Sequence, residues 1–192
     1  MIFPYKQNNS DKPNIMHIKK APMKKYRSNQ HIEPETYQQY LERAHKRNPI
    51  KDMWIYELLK ADKHEEILHS DNQFVLIKPT KSTDAHLLGF VRDISIRTMR
   101  DLDERHIPLL EHIYEEGCLY FKEKYNVSKD KLKVYVHYPP TTWVLHIHFT
   151  PIDNNEASSS VEYTYSLSEI INILRIKGDY YQTTIMNCLV NE

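Results

Sequence analysis

The stretch TTWVLHIHFTPI, residues 141–152, places two histidines on alternate positions of an apolar run. Read as a strand, it turns Trp143, Leu145, Ile147 and Phe149 to one face and Val144, His146, His148 and Thr150 to the other. The first face is core, and the second presents two imidazoles about 7 Å apart at the backbone. Upstream, KLKVYVHYPP sends Leu132, Val134 and Val136 one way and Lys133, Tyr135 and His137 the other, before Pro139-Pro140-Thr141-Thr142 turns the chain back. Where the polar faces of the two strands coincide, His137 joins His146 and His148. Satisfied core histidines are the plain reading of such residues, but three imidazoles on one face also support chemistry. They can hold zinc with one position open, although no carboxylate stands at a spacing that would support the set. Alternatively, a neutral imidazole can attack phosphorus and form a phosphoramidate that water later hydrolyses. Its neighbours then stabilise charge on the phosphate oxygens. A serine route lacks the Gly-x-Ser-x-Gly elbow, and neither Cys118 nor Cys188 sits in a nucleophile motif.

Composition narrows the choice. The 192 residues suffice for one domain with a proper core. Lys plus Arg (26) balances Asp plus Glu (26), which argues against a general nucleic-acid coat or a polybasic membrane anchor. With only 3 glycines, a Gly-rich phosphate loop is excluded, so phosphate chemistry must use side chains. The 2 cysteines have no metal or redox spacing, consistent with a reducing cytoplasmic or nuclear setting. No apolar run approaches the ~20 residues that span a bilayer, and MIFPYKQNNSDKPN lacks the apolar core of a secretory signal.

The elements that must position the histidines follow from periodicity. EPETYQQYLERAHKR predicts a helix starting near Pro34 and ended by Asn48-Pro49. DMWIYELLKAD predicts a second, with Asp52 as N-cap and Trp54, Leu58 and Leu59 at helical spacing. EILHS and QFVLIKP, separated by Asp71-Asn72, read as a hairpin, and HLLGFVRDISI as a third strand. The helix over 104–124 has Asp103 as its cap and Leu110, Ile113, Tyr114, Gly117 and Phe121 along one stripe. Gly117 costs up to about 1 kcal/mol relative to alanine, which a close approach of helix to sheet explains. LSEIINILRI is a late helix, and YQTTIMNCLV a last strand. The class is α+β, an antiparallel sheet with helices packed mainly on one face. Residues 1–32 form a basic arm carrying Lys19, Lys20, Lys24, Lys25 and Arg27, either a solvated tail or a phosphate- or RNA-touching segment. Residues 33–50 are expected to be an N-terminal helix and linker, and 51–192 the domain that carries the histidines.

HYPPTTWVLHIHF resembles the histidine-triad signature of nucleotide hydrolases and transferases, and is most similar to its form in the scavenger mRNA decapping family. WIYELL, FVLIKPTK, IRTMRDL, HIPLLEHI and LKVYVHY match that family in order, over roughly residues 50 to 150. The resemblance implies a histidine-triad pyrophosphatase acting on 7-methylguanosine cap dinucleotide or short capped RNA. In it His146 is the nucleophile, His148 the third triad histidine, and His137 and Thr141 phosphate contacts. Trp54 matches the tryptophan that stacks on the cationic methylated base, Lys81 a pocket lysine, and Glu65 a base-reading glutamate. No cofactor or metal is implied, nor duplex DNA or a membrane as partner. The family pairs as homodimers, and the N-terminal helix here also needs somewhere to bury its apolar stripe.

Departures from the family pattern bear on substrate. Val144 stands at the first triad histidine, Pro79 at a base-recognising aspartate, Thr80 at a leucine, and Tyr163 near an expected arginine. Only about 50 residues precede the match, so the family's swapped N-terminal lid is expected to be absent or reduced. Two other readings stay open: a hydrolase of another dinucleoside polyphosphate or nucleoside phosphoramidate, and a cap- or nucleotide-binding module whose catalysis has decayed.

Overall fold

Thr36, rather than Pro34, begins the first helix. Its hydroxyl accepts from the Gln39 N–H while the Gln39 side chain reaches back to the Thr36 N–H, a reciprocal cap that starts α1 (Tyr37–Lys46). The computed structural model describes residues 30–61, 66–79, 85–154 and 160–191. Residues 1–29 of the expected arm lie outside these. Residues 30–35, expected as the end of the arm and the start of a helix, instead form strand β1 (Gln30–Glu35). β1 pairs antiparallel with the C-terminal strand β8 (Met186–Asn191) in a separate two-stranded sheet.

The main sheet has six strands in the order β2-β3-β4-β6-β5-β7. These are β2 (Glu66–Ser70), β3 (Phe74–Lys78), β4 (Leu87–Val91), β5 (Leu132–His137), β6 (His146–Pro151) and β7 (Thr164–Ser166), and every pairing is antiparallel. Period-two alternation sorts their side chains. Phe74, Leu76, Leu87, Val91, Val134, Val136, Ile147 and Phe149 join one large core. Against it pack α3 (Ile107–Tyr125) and α4 (Leu167–Ile176), with the short α5 (Tyr180–Thr183) nearby. Gly117 is what lets α3 approach: a Cβ there would lie 2.3 Å from the Phe149 ring. The other face is divided. Val75, Ile77, Phe90 and Val144 pack under α2 (Met53–Ala61) with Ile55, Leu58 and Leu59, and the remainder carries the histidines.

Two expectations about the N-terminal half need correction. Asp52 does not cap α2; its buried carboxylate accepts from Arg47 Nε and Nη2 and from the Trp143 N–H. Nor does the apolar stripe of α1 call for a second chain: Tyr40 and Ala44 are buried in the chain's own core, with Tyr40 stacked on Trp143 (5.9 Å, 12°).

Candidate active site

β6 lies between β4 and β5, and its polar face meets theirs. Tyr135 of β5 is paired with His148, and Phe90 of β4 with His146. The coincidence of polar faces anticipated for His137 therefore holds, and its ring lies 4.3 Å from that of His148.

His146 is the most constrained imidazole. Its Nδ1 lies 2.8 Å from the Val144 carbonyl. A carbonyl only accepts, so Nδ1 carries the hydrogen and Nε2 keeps its lone pair. Phe90 stacks on the ring at 5.0 Å. Burial lowers its pKa to about 4; nearby His137 and His86 push the same way, against the Val144 carbonyl and the charge of Asp52. The residue is thus held as a neutral imidazole with one defined basic nitrogen. This bond uses the backbone of residue 144 and not its side chain, so valine serves there, its isopropyl group packed beneath α2.

His148 stacks on Tyr135 (4.9 Å, 7°), and His86 meets it edge to edge, its ring at 15° with centroids 5.2 Å apart. Burial, followed by the neighbouring His146, His137 and His86, holds it well below the ordinary histidine range. Its Nδ1 is 3.0 Å from His86 Nε2, while its own Nε2 is buried without a hydrogen-bond partner among the described residues. His86 was not anticipated. Its signal was parity: His86, Leu88 and Phe90 alternate toward one face, which becomes meaningful only once β4 is known to pair with β6.

These groups open onto a cleft of about 470 Å³ lined by His137, Thr141, His146, His148 and Tyr163, among others, with Gln30 and Leu189 contributed by the small sheet. The loop that forms one wall is clamped from outside. Arg47, paired with buried Asp52, donates through Nη2 to the Thr141 carbonyl at 2.6 Å and lies 5.4 Å over the Trp143 ring. Tyr163, near the position of the family's arginine, packs edge-on against His137 at 4.9 Å. Trp54 projects from α2 edge-on to Phe90 (5.9 Å, 83°) and is 43% exposed. It is connected to His146 through one intervening ring and is not helix core. Glu65, Lys81 and Thr80 lie outside the described residues, and Pro79 directly follows β3.

A six-stranded antiparallel sheet with paired histidines on its inner strand β6 defines a histidine-triad class of protein. Residues 53–164 match the family described as scavenger mRNA decapping enzyme C-term binding, and the chain belongs to that family. It is 34% identical over 139 residues to the m7GpppX diphosphatase of Rattus norvegicus, covering 67% of this chain and 41% of that protein. It is 29% identical over 170 residues to the m7GpppX diphosphatase of Ascaris suum, covering 83% and 56%. The chain thus spans about two-fifths of the length of the rat relative. Among solved structures, the aprataxin ortholog Hnt3 in complex with DNA is similar at a TM-score of 0.41 and 17% identity, over 54% of this chain and 60% of that one.

Proposed function

We propose that this chain is a pyrophosphatase for 7-methylguanosine cap dinucleotide or short capped RNA, working through a nucleotidyl-histidine. The observation that carries the reading is the Nδ1–H···O bond from His146 to Val144, which leaves Nε2 as a neutral nucleophile on the cleft. His146 Nε2 attacks the phosphorus attached to the methylguanosine ribose. A P–N bond forms, and the P–O bond to the next phosphate breaks, releasing a nucleoside diphosphate or a 5′-diphosphate RNA. Water then attacks the same phosphorus, releasing 7-methylguanosine monophosphate and restoring the imidazole. His137, His148 and Thr141 bind the phosphate oxygens as charge builds. Trp54 stacks on the base, and Lys81 and Glu65 are assigned to phosphate and base by the family resemblance. Two copies are expected to assemble as a homodimer.

The test is product identification after incubating the chain with methylated and unmethylated dinucleotides, alongside His146→Ala. Release of 7-methylguanosine monophosphate by wild type only, with an acid-labile phosphate adduct trapped on His146, is expected. Equal turnover by the variant sinks the mechanism. Pro79, lacking the carboxylate that reads guanine, favours a broader second reading, hydrolysis of other dinucleoside polyphosphates, and the unmethylated substrates expose it. Tight binding without turnover would identify a decayed binding module.

A further inference from the structure

A second histidine group lies on the α3 side of the sheet, away from the cleft. His69, near the end of β2, and His112, on α3, bring their Nε2 atoms to one oxygen, Oδ2 of Asp71, at 3.1 and 2.8 Å. The ligand atoms of all three residues lie within 4.8 Å of one another. A tetrahedral zinc ion with bonds of about 2.0–2.1 Å sets its ligand atoms roughly 3.3 Å apart. The two measured separations fall a few tenths of an ångström short of that, within reach of small side-chain rotations.

Three features separate this group from an incidental ion pair. Asp71 divides its oxygens: Oδ1 accepts the N–H groups of Gln73 (2.7 Å) and Phe74 (2.9 Å), which fixes the β2–β3 turn and leaves Oδ2 for the imidazoles. The far nitrogen of His69, Nδ1, lies 3.5 Å from Glu116 Oε2, one helical turn beyond His112. A carboxylate on the second ring nitrogen is the arrangement that orients metal-ligating histidines. Phe74 then braces both rings, stacking on His69 at 4.8 Å and meeting His112 edge-on at 5.2 Å. The four polar side chains are about a quarter to a third exposed, so a hydrated cation can reach them.

We propose that His69, Asp71 and His112 form a binding site for a divalent transition-metal cation of the zinc class, with Glu116 as the supporting carboxylate. Two imidazoles and a carboxylate suit zinc and leave a coordination position for water. Binding replaces two N–H···O contacts on Asp71 with coordinate bonds. In each neutral imidazole the hydrogen shifts from Nε2 to Nδ1, where in His69 it faces Glu116, so neither ring need lose a proton. Because the ligands come from β2, the turn and α3, the cation fastens the edge hairpin to the helix that backs the sheet.

The test is calorimetric titration of the chelator-stripped chain with zinc alone, followed by cobalt(II) titration read by its visible absorption. Saturable zinc binding is expected, weakened at least about tenfold in His69→Gln and in His112→Gln, and unchanged in His146→Ala and His148→Ala. Glu116→Gln, which leaves all three ligands in place, should weaken it less, so a folded variant remains informative if the ligand variants unfold without metal. Zinc should also raise the melting temperature of wild type but not of His112→Gln. Absence of saturable binding at micromolar zinc overturns the proposal. So does binding that survives both ligand variants, or that is lost in His146→Ala, which places the cation in the cleft.

Discussion

His86 Nε2 and His148 Nδ1 lie 3.0 Å apart with their rings edge to edge at 15°, tying the residue just before β4 to strand β6. The contact fixes which His148 nitrogen is engaged inside the fold and leaves the other for the cleft. His86→Phe keeps a planar ring beside His148 and removes the hydrogen bond. At about 0.5–1.5 kcal/mol for such a bond, cap-dinucleotide turnover should fall roughly two- to tenfold with the unfolding midpoint little changed. Steady-state kinetics on the two proteins decide it, and an unaltered kcat would remove His86 from the site.

Burying His146 as a neutral imidazole makes stability depend on pH. Its folded pKa of about 4 lies below the ordinary 6.5, so between these values the unfolded chain binds more protons. Stability therefore rises with pH across that window and is lost as pH falls through it. At about 1.4 kcal/mol per tenfold difference in proton affinity, His146 contributes up to about 3 kcal/mol of acid sensitivity. His148 is shifted in the same direction and adds to it. Urea unfolding at pH 7 and pH 4.5 measures the slope. His146→Phe should flatten it, and an unchanged slope in that variant would contradict the assignment.

Gly117 is a packing requirement. A Cβ there would lie 2.3 Å from Phe149, on the strand that carries His146 and His148. Gly117→Ala gains helix propensity of up to about 1 kcal/mol but overpacks a filled core, a cost of about 1–3 kcal/mol. Net destabilisation is expected, with recovery in Gly117→Ala combined with Phe149→Leu. Denaturant midpoints for the single and double variants provide the check.

The Arg47–Asp52 pair positions the loop before β6. Arg47→Met leaves a buried carboxylate unpaired, which for buried pairs costs about 3–5 kcal/mol, and frees the Thr141 carbonyl. Lower stability with a raised KM is expected, and substituting both residues by apolar ones should recover stability but not KM. Recovery of both would reduce the pair to a structural role.

The sheet was legible where its two faces differ in polarity. β5 and β6 alternate, so the facing of His146 and His148 followed from period two. The strand expected over 141–152 begins only at His146, and the preceding bend keeps Trp143 and Leu145 on the core side all the same. Gly117 was legible for a related reason, since a glycine in the middle of a strong helix needs a packing cause. β1 was not legible: Gln30–Glu35 is polar and mostly exposed, and it is a strand because β8 pairs with it. Thr36 and Gln39 carried the true helix start, but Pro34 offered a competing signal. His86 and the His69–Asp71–His112 group depend on pairings across 62 and 41 residues respectively. Local periodicity can set which way His86 faces but not which distant residue it meets.

Trp54 provides the most direct test of substrate. It is 43% exposed and rests edge-on against Phe90, which in turn stacks on His146. Removing an exposed indole costs little stability, so Trp54→Ala should unfold near the wild-type midpoint. A cationic methylated base gains about 0.5–2 kcal/mol over an electron-rich ring, which is roughly a 2- to 30-fold preference over the uncharged base. Pro79 supplies no carboxylate to the guanine edge, and one such charged hydrogen bond is otherwise worth about 1.5–3 kcal/mol. Discrimination should therefore rest on stacking, with Trp54→Phe keeping part of it and Trp54→Ala losing most. Competition between methylated and unmethylated cap analogues in the three proteins measures this. A methyl preference that persists without the indole, or is missing from wild type, would separate Trp54 from base recognition and leave the His146 chemistry to serve a different dinucleotide.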